Sequence, residues 1–286
     1  MKFNDKTKVL VLAGTGDARE LTAHILPIIA AHNGEILVSV VGENAAGEYR
    51  QLQIPVRCGA MSLPQMKTFF EDEKISVVVD ATHPFAAEVS QNAISAADEA
   101  GIMYLRYERP ETELARLPSD LILPDENDLL LAVKDHETAA GLVVSMQKRA
   151  QKKLTVMLTT GAKSLEMYAR EFSQNPDIEM VARLLPTAEN LELCARNHVQ
   201  QKNIVAMQGP FHKELNKELF IKYNVDVLVT KESGPAGSTD EKILAAGELG
   251  VKTIVVGRPA IIYRNQCRSF EEAASRLVEF LEPVRK

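Results

Sequence analysis

The sequence predicts an α/β fold built from two doubly wound halves with mainly parallel sheets. Three observations carry this expectation. Short apolar runs rich in Val and Ile alternate along the chain with longer stretches of helical periodicity. The runs show little polar alternation, the pattern of parallel strands covered on both faces. The chain has 286 residues, enough for two domains at roughly 150 residues each.

Strands are expected at residues 9–13, 36–41, 77–80, 103–106, 121–123, 154–159, 179–184, 204–207, 225–230 and 253–256. The first helix pattern contains Pro27, which lacks an N–H and crowds the preceding turn, so that helix should end or kink near Leu26. Pro84 suits the first turn of a helix capped near Thr82 or His83, with Phe85, Val89 and Ala93 following at four-residue spacing. Ser238-x-x-Glu241 and Ser269-x-x-Glu272 read as capping boxes. In the last helix Ala273, Leu277, Val278 and Leu281 form an apolar stripe. This is more strands than one sheet ordinarily holds. Residues 109–120 contain two prolines, several charges and no periodicity. They form the expected linker, and the domains are expected at 1–112 and 113–286. The final helix can pack on either half, and periodicity does not decide which.

Composition bounds the function. Hydrophobic residues make up 45% and charged residues 25%, which excludes wholesale disorder, a collagen-like fibre and a coiled coil. Against 33 Lys and Arg stand 39 Asp and Glu, a net charge of −6, so a sequence-independent nucleic-acid footprint is not expected. The 3 cysteines, Cys58, Cys194 and Cys267, form no C-x-x-C, which argues against a disulfide framework or a Cys-rich zinc site and for a reducing, cytoplasmic setting. The 6 histidines lie far apart and no H-E-x-x-H occurs, so no metal site is expected. No apolar run approaches the roughly 18 residues of a membrane span. The short apolar run after the N-terminus is broken by Gly14 and by the charges at Asp17, Arg19 and Glu20, so no signal peptide is expected.

In open parallel sheets, ligands bind beyond the carboxyl ends of the strands. Here those ends read Ala13-Gly14-Thr15-Gly16-Asp17, Asp80-Ala81-Thr82-His83-Pro84, Thr159-Thr160-Gly161-Ala162-Lys163, Met207-Gln208-Gly209-Pro210, Thr230-Lys231-Glu232-Ser233-Gly234 and Gly257-Arg258-Pro259. Small residues, hydroxyls and cations recur. Gly14-x-Gly16 suits a phosphate cradle, because glycine lets backbone N–H groups approach closely and the next helix presents its positive end. The pattern is partial: Arg19 stands where a third glycine would fall, and Asp17 adds a negative charge. A plain strand-to-helix turn is the alternative. Glu43 follows the second strand, where an acid would bind the ribose hydroxyls of NAD, or would be a solvated loop residue. His83 is placed to donate a proton or contact a substrate, or else to cap its helix. The loop 234–239 lacks the Lys of a nucleotide-triphosphate loop. There is no G-x-S-x-G elbow and no Tyr with Lys four residues later.

Several segments taken together are similar to one family. They are Leu10-Val-Leu-Ala-Gly-Thr-Gly-Asp-Ala-Arg-Glu-Leu21, Val79-Asp-Ala-Thr-His-Pro-Phe-Ala86, Leu105-Arg-Tyr-Glu-Arg-Pro110, Leu158-Thr-Thr-Gly161, Ala206-Met-Gln-Gly-Pro-Phe211 and Asp226-Val-Leu-Val-Thr-Lys-Glu-Ser-Gly234. In these blocks, in family order over nearly the whole chain, the sequence resembles the precorrin-6A reductases, including the cobalt-precorrin-6A reductases of cobalamin biosynthesis. The resemblance implies two Rossmann-like domains facing a central cleft. It also implies NADPH-dependent reduction of one carbon–carbon double bond in a tetrapyrrole-derived macrocycle. NADPH would meet Gly14, Thr15 and Gly16 near its phosphates, with Asp80, Thr82 and Gly209 as further cofactor positions. Two departures stand out: Ala13-Gly14-Thr15 replaces the family's usual Gly-Gly-Thr, and Glu43 lends no support to an NADP 2′-phosphate.

The substrate's carboxylates need cations, and the net charge requires that these be local. Arg106, Arg109, Lys163, Arg183 and Arg258 are the expected partners, together with the hydroxyls of Thr160 and Ser233. His83 and Lys231 are the expected proton donors if the reaction uses one. Rival expectations are another NAD(P)-linked oxidoreductase acting on a small or sugar-nucleotide substrate, and a non-enzymatic two-domain binding protein. The chain is expected to be a monomer or a weak homodimer.

Overall fold

The computed structural model of the chain describes residues 6–112, 129–234 and 237–282. The chain divides into two compact units, one of Met1–Pro110 with Ala260–Lys286, the other of Glu111–Pro259. The expected strand at 121–123, most of the expected linker, and Pro235 and Ala236 lie outside the described residues.

The first unit runs β1 (Lys8–Leu12), α1 (Gly16–Ala31), β2 (Glu35–Val40), α2 (Glu43–Gln51), β3 (Val56–Cys58), α3 (Leu63–Asp72), β4 (Ile75–Asp80), α4 (Ala87–Ala100) and β5 (Met103–Tyr107). The second runs β6 (Leu130–Val133), α5 (His136–Ala150), β7 (Leu154–Leu158), α6 (Leu165–Ser173), β8 (Ile178–Leu184), α7 (Ala188–Arg196), β9 (Ile204–Ala206), α8 (Lys213–Lys222), β10 (Val227–Lys231), α9 (Thr239–Glu248) and β11 (Lys252–Val256). The chain then returns to the first unit with β12 (Gln266–Cys267) and α10 (Phe270–Leu281).

Among the described residues each sheet has six strands, in the orders β12-β5-β4-β1-β2-β3 and β6-β11-β10-β7-β8-β9. Every pairing is parallel. Strand order reverses between β1 and β4 in one sheet and between β7 and β10 in the other, and such switch points leave a crevice beyond the strand ends. The edge strand beside β5 comes from the far end of the chain, and the edge strand beside β11 precedes the rest of its sheet.

Alternation explains the burial of both faces. Val9 and Val11 point into one core with Leu21, Ile25 and Ile29 of α1, while Leu10 and Leu12 point into another with Met66, Phe70 and Ala93 of α3 and α4. The stripe of α10 settles which half it joins. Ala273 and Leu277 are fully buried against the α1 side of the first sheet, and the Phe270 ring lies 5.2 Å from that of Tyr107. The second unit therefore ends at Pro259 instead of running to the C-terminus, because the open α1 face offers this stripe its cover.

Several local expectations are overturned. α1 does not end near Leu26 but continues through Pro27 to Ala31, and both Pro27 and Ala23 are exposed, so water can satisfy the carbonyl that loses its helical partner. α4 starts at Ala87 rather than near Pro84. Its N-cap residue, Ala86, gives no side-chain cap, the Thr82 hydroxyl is bonded to Asp80, and a residue before proline disfavours helix. Ser238 is left-handed at φ 52° and makes no cap bond, while Glu241 instead accepts from the Lys213 N–H at 2.6 Å. At Ser269 the cap does form: its hydroxyl accepts from the Glu272 N–H at 3.1 Å. The short strands β3, β6 and β12 were not expected.

Replacing Leu277 by Ala should cost about 2–5 kcal/mol of unfolding free energy in urea denaturation. A loss below about 1 kcal/mol would mean that α10 does not close this core.

Candidate functional site

At the switch point of the first sheet, β1 ends in a turn that only glycine accommodates. Gly14 has φ +134°, and a Cβ added at Gly14 or Gly16 would meet nothing within 4 Å. The backbone before α1 is therefore open to an incoming group. Thr15 caps α1, accepting from the Ala18 N–H at 3.1 Å. Asp17 is neutralised locally: Arg109 Nε lies 2.9 Å from its carboxylate. The acid that counted against a phosphate at this turn is thus already paired. A cavity of about 260 Å³ opens beside the turn, between Gly14, Ser39, Gly42, Gly59, Thr82 and His83.

Beneath this edge lies a buried polar network. Asp80, fully buried, accepts from the Thr82 N–H (3.0 Å), the Thr82 hydroxyl (2.7 Å), the Tyr104 hydroxyl (2.7 Å) and Arg106 Nη1 (2.9 Å). Arg106, 1% exposed, also donates through Nε to Glu108 at 2.7 Å and stacks on the Tyr263 ring. Burial works to raise the Asp80 pKa, but the Arg106 charge and the hydrogen bonds from Ser90, Tyr104 and Thr82 outweigh it and hold the carboxyl below its ordinary value. Burial and Asp80 together push the Tyr104 phenol up. His83 Nδ1 accepts from the Phe85 N–H at 3.1 Å, so the neutral ring carries its proton on Nε2.

The edge of the second sheet is richer in cations. After β7, Gly161 turns at φ +80°, and a Cβ there would lie 3.9 Å from Lys231 Nζ. The Thr160 hydroxyl is buried and accepts from Ser164 at 2.8 Å. Burial pulls the Lys231 ammonium down to about 8, and the charge of Lys163 adds to this. The Ser233 hydroxyl lies 3.1 Å from that of Thr239. Glu232 accepts from the Thr112 and Gly234 N–H groups at 2.9 and 3.0 Å and pairs with Arg258. Arg183 lies over the Phe211 ring at 4.3 Å and donates to Asn216 at 2.7 Å. Lys242, on α9, is 6% exposed. His136 Nδ1 lies 3.0 Å from the Tyr168 hydroxyl, and burial followed by the Lys231 charge lowers its pKa.

Residues 8–278 match the profile described as precorrin-6x reductase CbiJ/CobK. The chain belongs to the precorrin-6x reductase family. A cobalt-precorrin-6A reductase of Priestia megaterium is 39% identical over 270 residues, covering 94% of this chain and 98% of that one. A precorrin-6A reductase of Mycobacterium tuberculosis is 30% identical over 259 residues, 89% of this chain and 90% of that one. The solved structure of CobK precorrin-6A reductase matches with TM-score 0.72 and 26% identity, over 96% of this chain and 97% of that one.

Within this family member, the structure sorts the residues singled out from sequence. Gly14, Thr15, Gly16, Thr82 and His83 lie at one sheet edge. Asp80 does not reach it as a free cofactor ligand, since four donors hold its carboxylate below the surface. Gly209 follows β9 in the second unit, whereas the Gly14 turn belongs to the first. Arg106, Arg109 and Arg258 already face carboxylates, because a buried guanidinium needs a partner. Lys163 and Lys231 lie at the edge of the second sheet, after β7 and at the end of β10, and Arg183 donates to the neutral Asn216 and lies over the Phe211 ring. Glu43 is exposed and paired with Arg50 at 2.7 Å. Sequence reading passed over His136 and Lys242. Lys242 was findable, because it shares the helical face of Thr239, Ile243 and Ala246. Among the described residues no group of His, Cys, Asp and Glu could hold a metal ion, and no helix is long and apolar enough to cross a membrane.

Replacing Arg106 by Met leaves Asp80 buried without its cation and should cost about 3–5 kcal/mol of stability in denaturant unfolding. Because the folded Asp80 carboxyl sits below its unfolded value, its contribution is present above the ordinary carboxylate range and is lost as pH falls. The variant's deficit should therefore shrink on acidification through about pH 4, and a deficit independent of pH would disprove this role.

Proposed function

We propose that this protein reduces one carbon–carbon double bond of cobalt-precorrin-6A or precorrin-6A with NADPH in cytoplasmic corrin biosynthesis. The observation that carries the reading is the open Gly14–Gly16 turn before α1, its Asp17 charge cancelled by Arg109, in a member of the precorrin-6x reductase family. When bound, the nicotinamide supplies the hydride.

The chain's own residues position and neutralise. Backbone N–H groups of the Gly14–Gly16 turn and the positive end of α1 suit the cofactor's phosphates. The Glu43–Arg50 pair leaves no uncompensated acid from Glu43 against a 2′-phosphate, which supports NADPH. Arg106 is a positioning residue: it holds Asp80 and, at 3.1 Å, the Thr82 hydroxyl at the cavity wall. Arg258 does the same for Glu232, whose carboxylate orients the Gly234 N–H. The macrocycle's carboxylates are assigned to Lys163, Lys231 and Arg183, with the hydroxyls of Thr160 and Ser233 beside them. His83 carries its ring proton on Nε2, and Lys231 gives up its proton near pH 8. These two are the candidate acids. Conjugation spreads the incoming negative charge over the macrocycle, so the proton can follow the hydride.

The test is NADPH oxidation, followed with the visible spectrum of the macrocycle, with each form of precorrin-6A supplied in turn. Consumption with at least one form is expected, and none with either would overturn the assignment. Gly14→Ala, which forces a side chain to φ +134°, should weaken NADPH by about tenfold, equivalent to ~1.4 kcal/mol. An unchanged dissociation constant would remove the turn from the cofactor site. Lys231→Ala should raise KM for the macrocycle far more than KM for NADPH. In the wild type, KM for the macrocycle should climb as pH passes about 8, where the Lys231 ammonium loses its charge. Equal changes in both KM values would refute that placement.

A further inference from the structure

Two cations lie deep in the second unit with only neutral partners among the described residues. Arg183 and Lys242 are each 6% exposed. Arg183 Nη1 donates to Asn216 Oδ1 at 2.7 Å, and its guanidinium covers the Phe211 ring. Asn216 is itself fixed, donating to the Phe211 and His212 carbonyls at 3.2 and 3.0 Å. Lys242 Nζ donates to the Gly237 carbonyl at 2.9 Å. The charged groups that act on Lys242 are Arg183 from β8 and Lys231 from β10, both cations. Of the acids nearby on α9, Glu241 accepts from the Lys213 N–H of α8.

Strand alternation brings a third group to the same face. Val181 and Leu228 point into the core formed with α8 and α9. Arg183 and Thr230, two residues further along β8 and β10, point to that same side at the carboxyl edge of the sheet. The Thr230 hydroxyl is fully buried and has no hydrogen-bond partner among the described residues. A rigidly held guanidinium, a buried ammonium and an orphaned hydroxyl make a poor apolar core. Buried charges are ordinarily paired, and buried donors ordinarily satisfied. An oxyanion would satisfy all three.

We propose that Arg183, Lys242 and Thr230 form an oxyanion subsite, and that its occupant is a carboxylate side chain of the macrocyclic substrate. The subsite stands on the geometry of the second unit, whereas the owner of the carboxylate rests on the reductase reading above. Binding there is coupled to proton uptake. Burial, Arg183 and Lys231 pull the Lys242 ammonium down to about 7, so it is partly neutral before the anion arrives and fully charged beside it.

The test is NMR of the full chain with labelled lysine side chains, the Lys242 signal being assigned by its loss in Lys242→Arg. Propionate, the probe for a carboxylate side chain, should raise the Lys242 titration midpoint by about 1–3 pH units relative to chloride at equal ionic strength. Arg183→Gln should abolish the shift. Should that variant not fold, Thr230→Val should reduce it, and the wild-type measurement stands without either variant. A midpoint unmoved by both propionate and inorganic phosphate overturns the subsite. A shift with phosphate but not with propionate overturns the carboxylate assignment. A propionate shift without NADPH oxidation on any precorrin leaves the subsite standing and overturns only the reductase reading.

Discussion

Every strand of both sheets runs parallel to its neighbours, and that constraint organises the rest of the molecule. Parallel strands need crossover helices, so both faces of each sheet are covered and the strands become apolar on both sides. Polar chemistry is thereby driven to one place, the edge where all strands end. β1 shows the consequence over five residues: alternate side chains feed two separate cores, and the chain then passes through an open glycine turn into α1. The second sheet repeats the plan, with Gly161 and Lys231 at its own switch point.

Charge at the two edges is handled differently. In the first unit, cations and acids cancel: Arg106 with Asp80 and Glu108, Arg109 with Asp17. These pairs hold loops in place, and they leave a mainly apolar cavity beside the glycine turn. In the second unit Arg258 and Glu232 cancel, but Arg183 and Lys242 meet no acid among the described residues, and burial lowers the proton affinity of both. A chain with net charge −6 thus keeps a local excess of positive charge, which is what a polycarboxylate ligand requires.

Much of the architecture was legible because parallel strands and their helices are written in local pattern. The Val- and Ile-rich runs located the long strands. Short edge strands escaped notice. β12 is Gln266–Cys267 and β3 is Val56–Cys58, too short for any periodicity to show, and they are strands only because a neighbour pairs with them. Pro27 misled for a related reason. The cost of a missing N–H depends on whether water reaches the orphaned carbonyl, and that is a property of which helix face is exposed.

The sequence by itself determined the fold class, the two glycine-bearing strand ends and the family, since each depends on residues close together in the chain. Tertiary structure alone decided which cations are already paired. Arg106 and Arg183 look alike in sequence, each near the end of an apolar strand. One meets Asp80 across a sheet and the other, among the described residues, meets a neutral amide and an aromatic ring. Tertiary structure also decided that α10 closes the first unit, because an apolar stripe says that a helix must be covered and not by what. The physical reason is common to both: pairing and cover are set by neighbours distant in the chain, which local pattern does not encode.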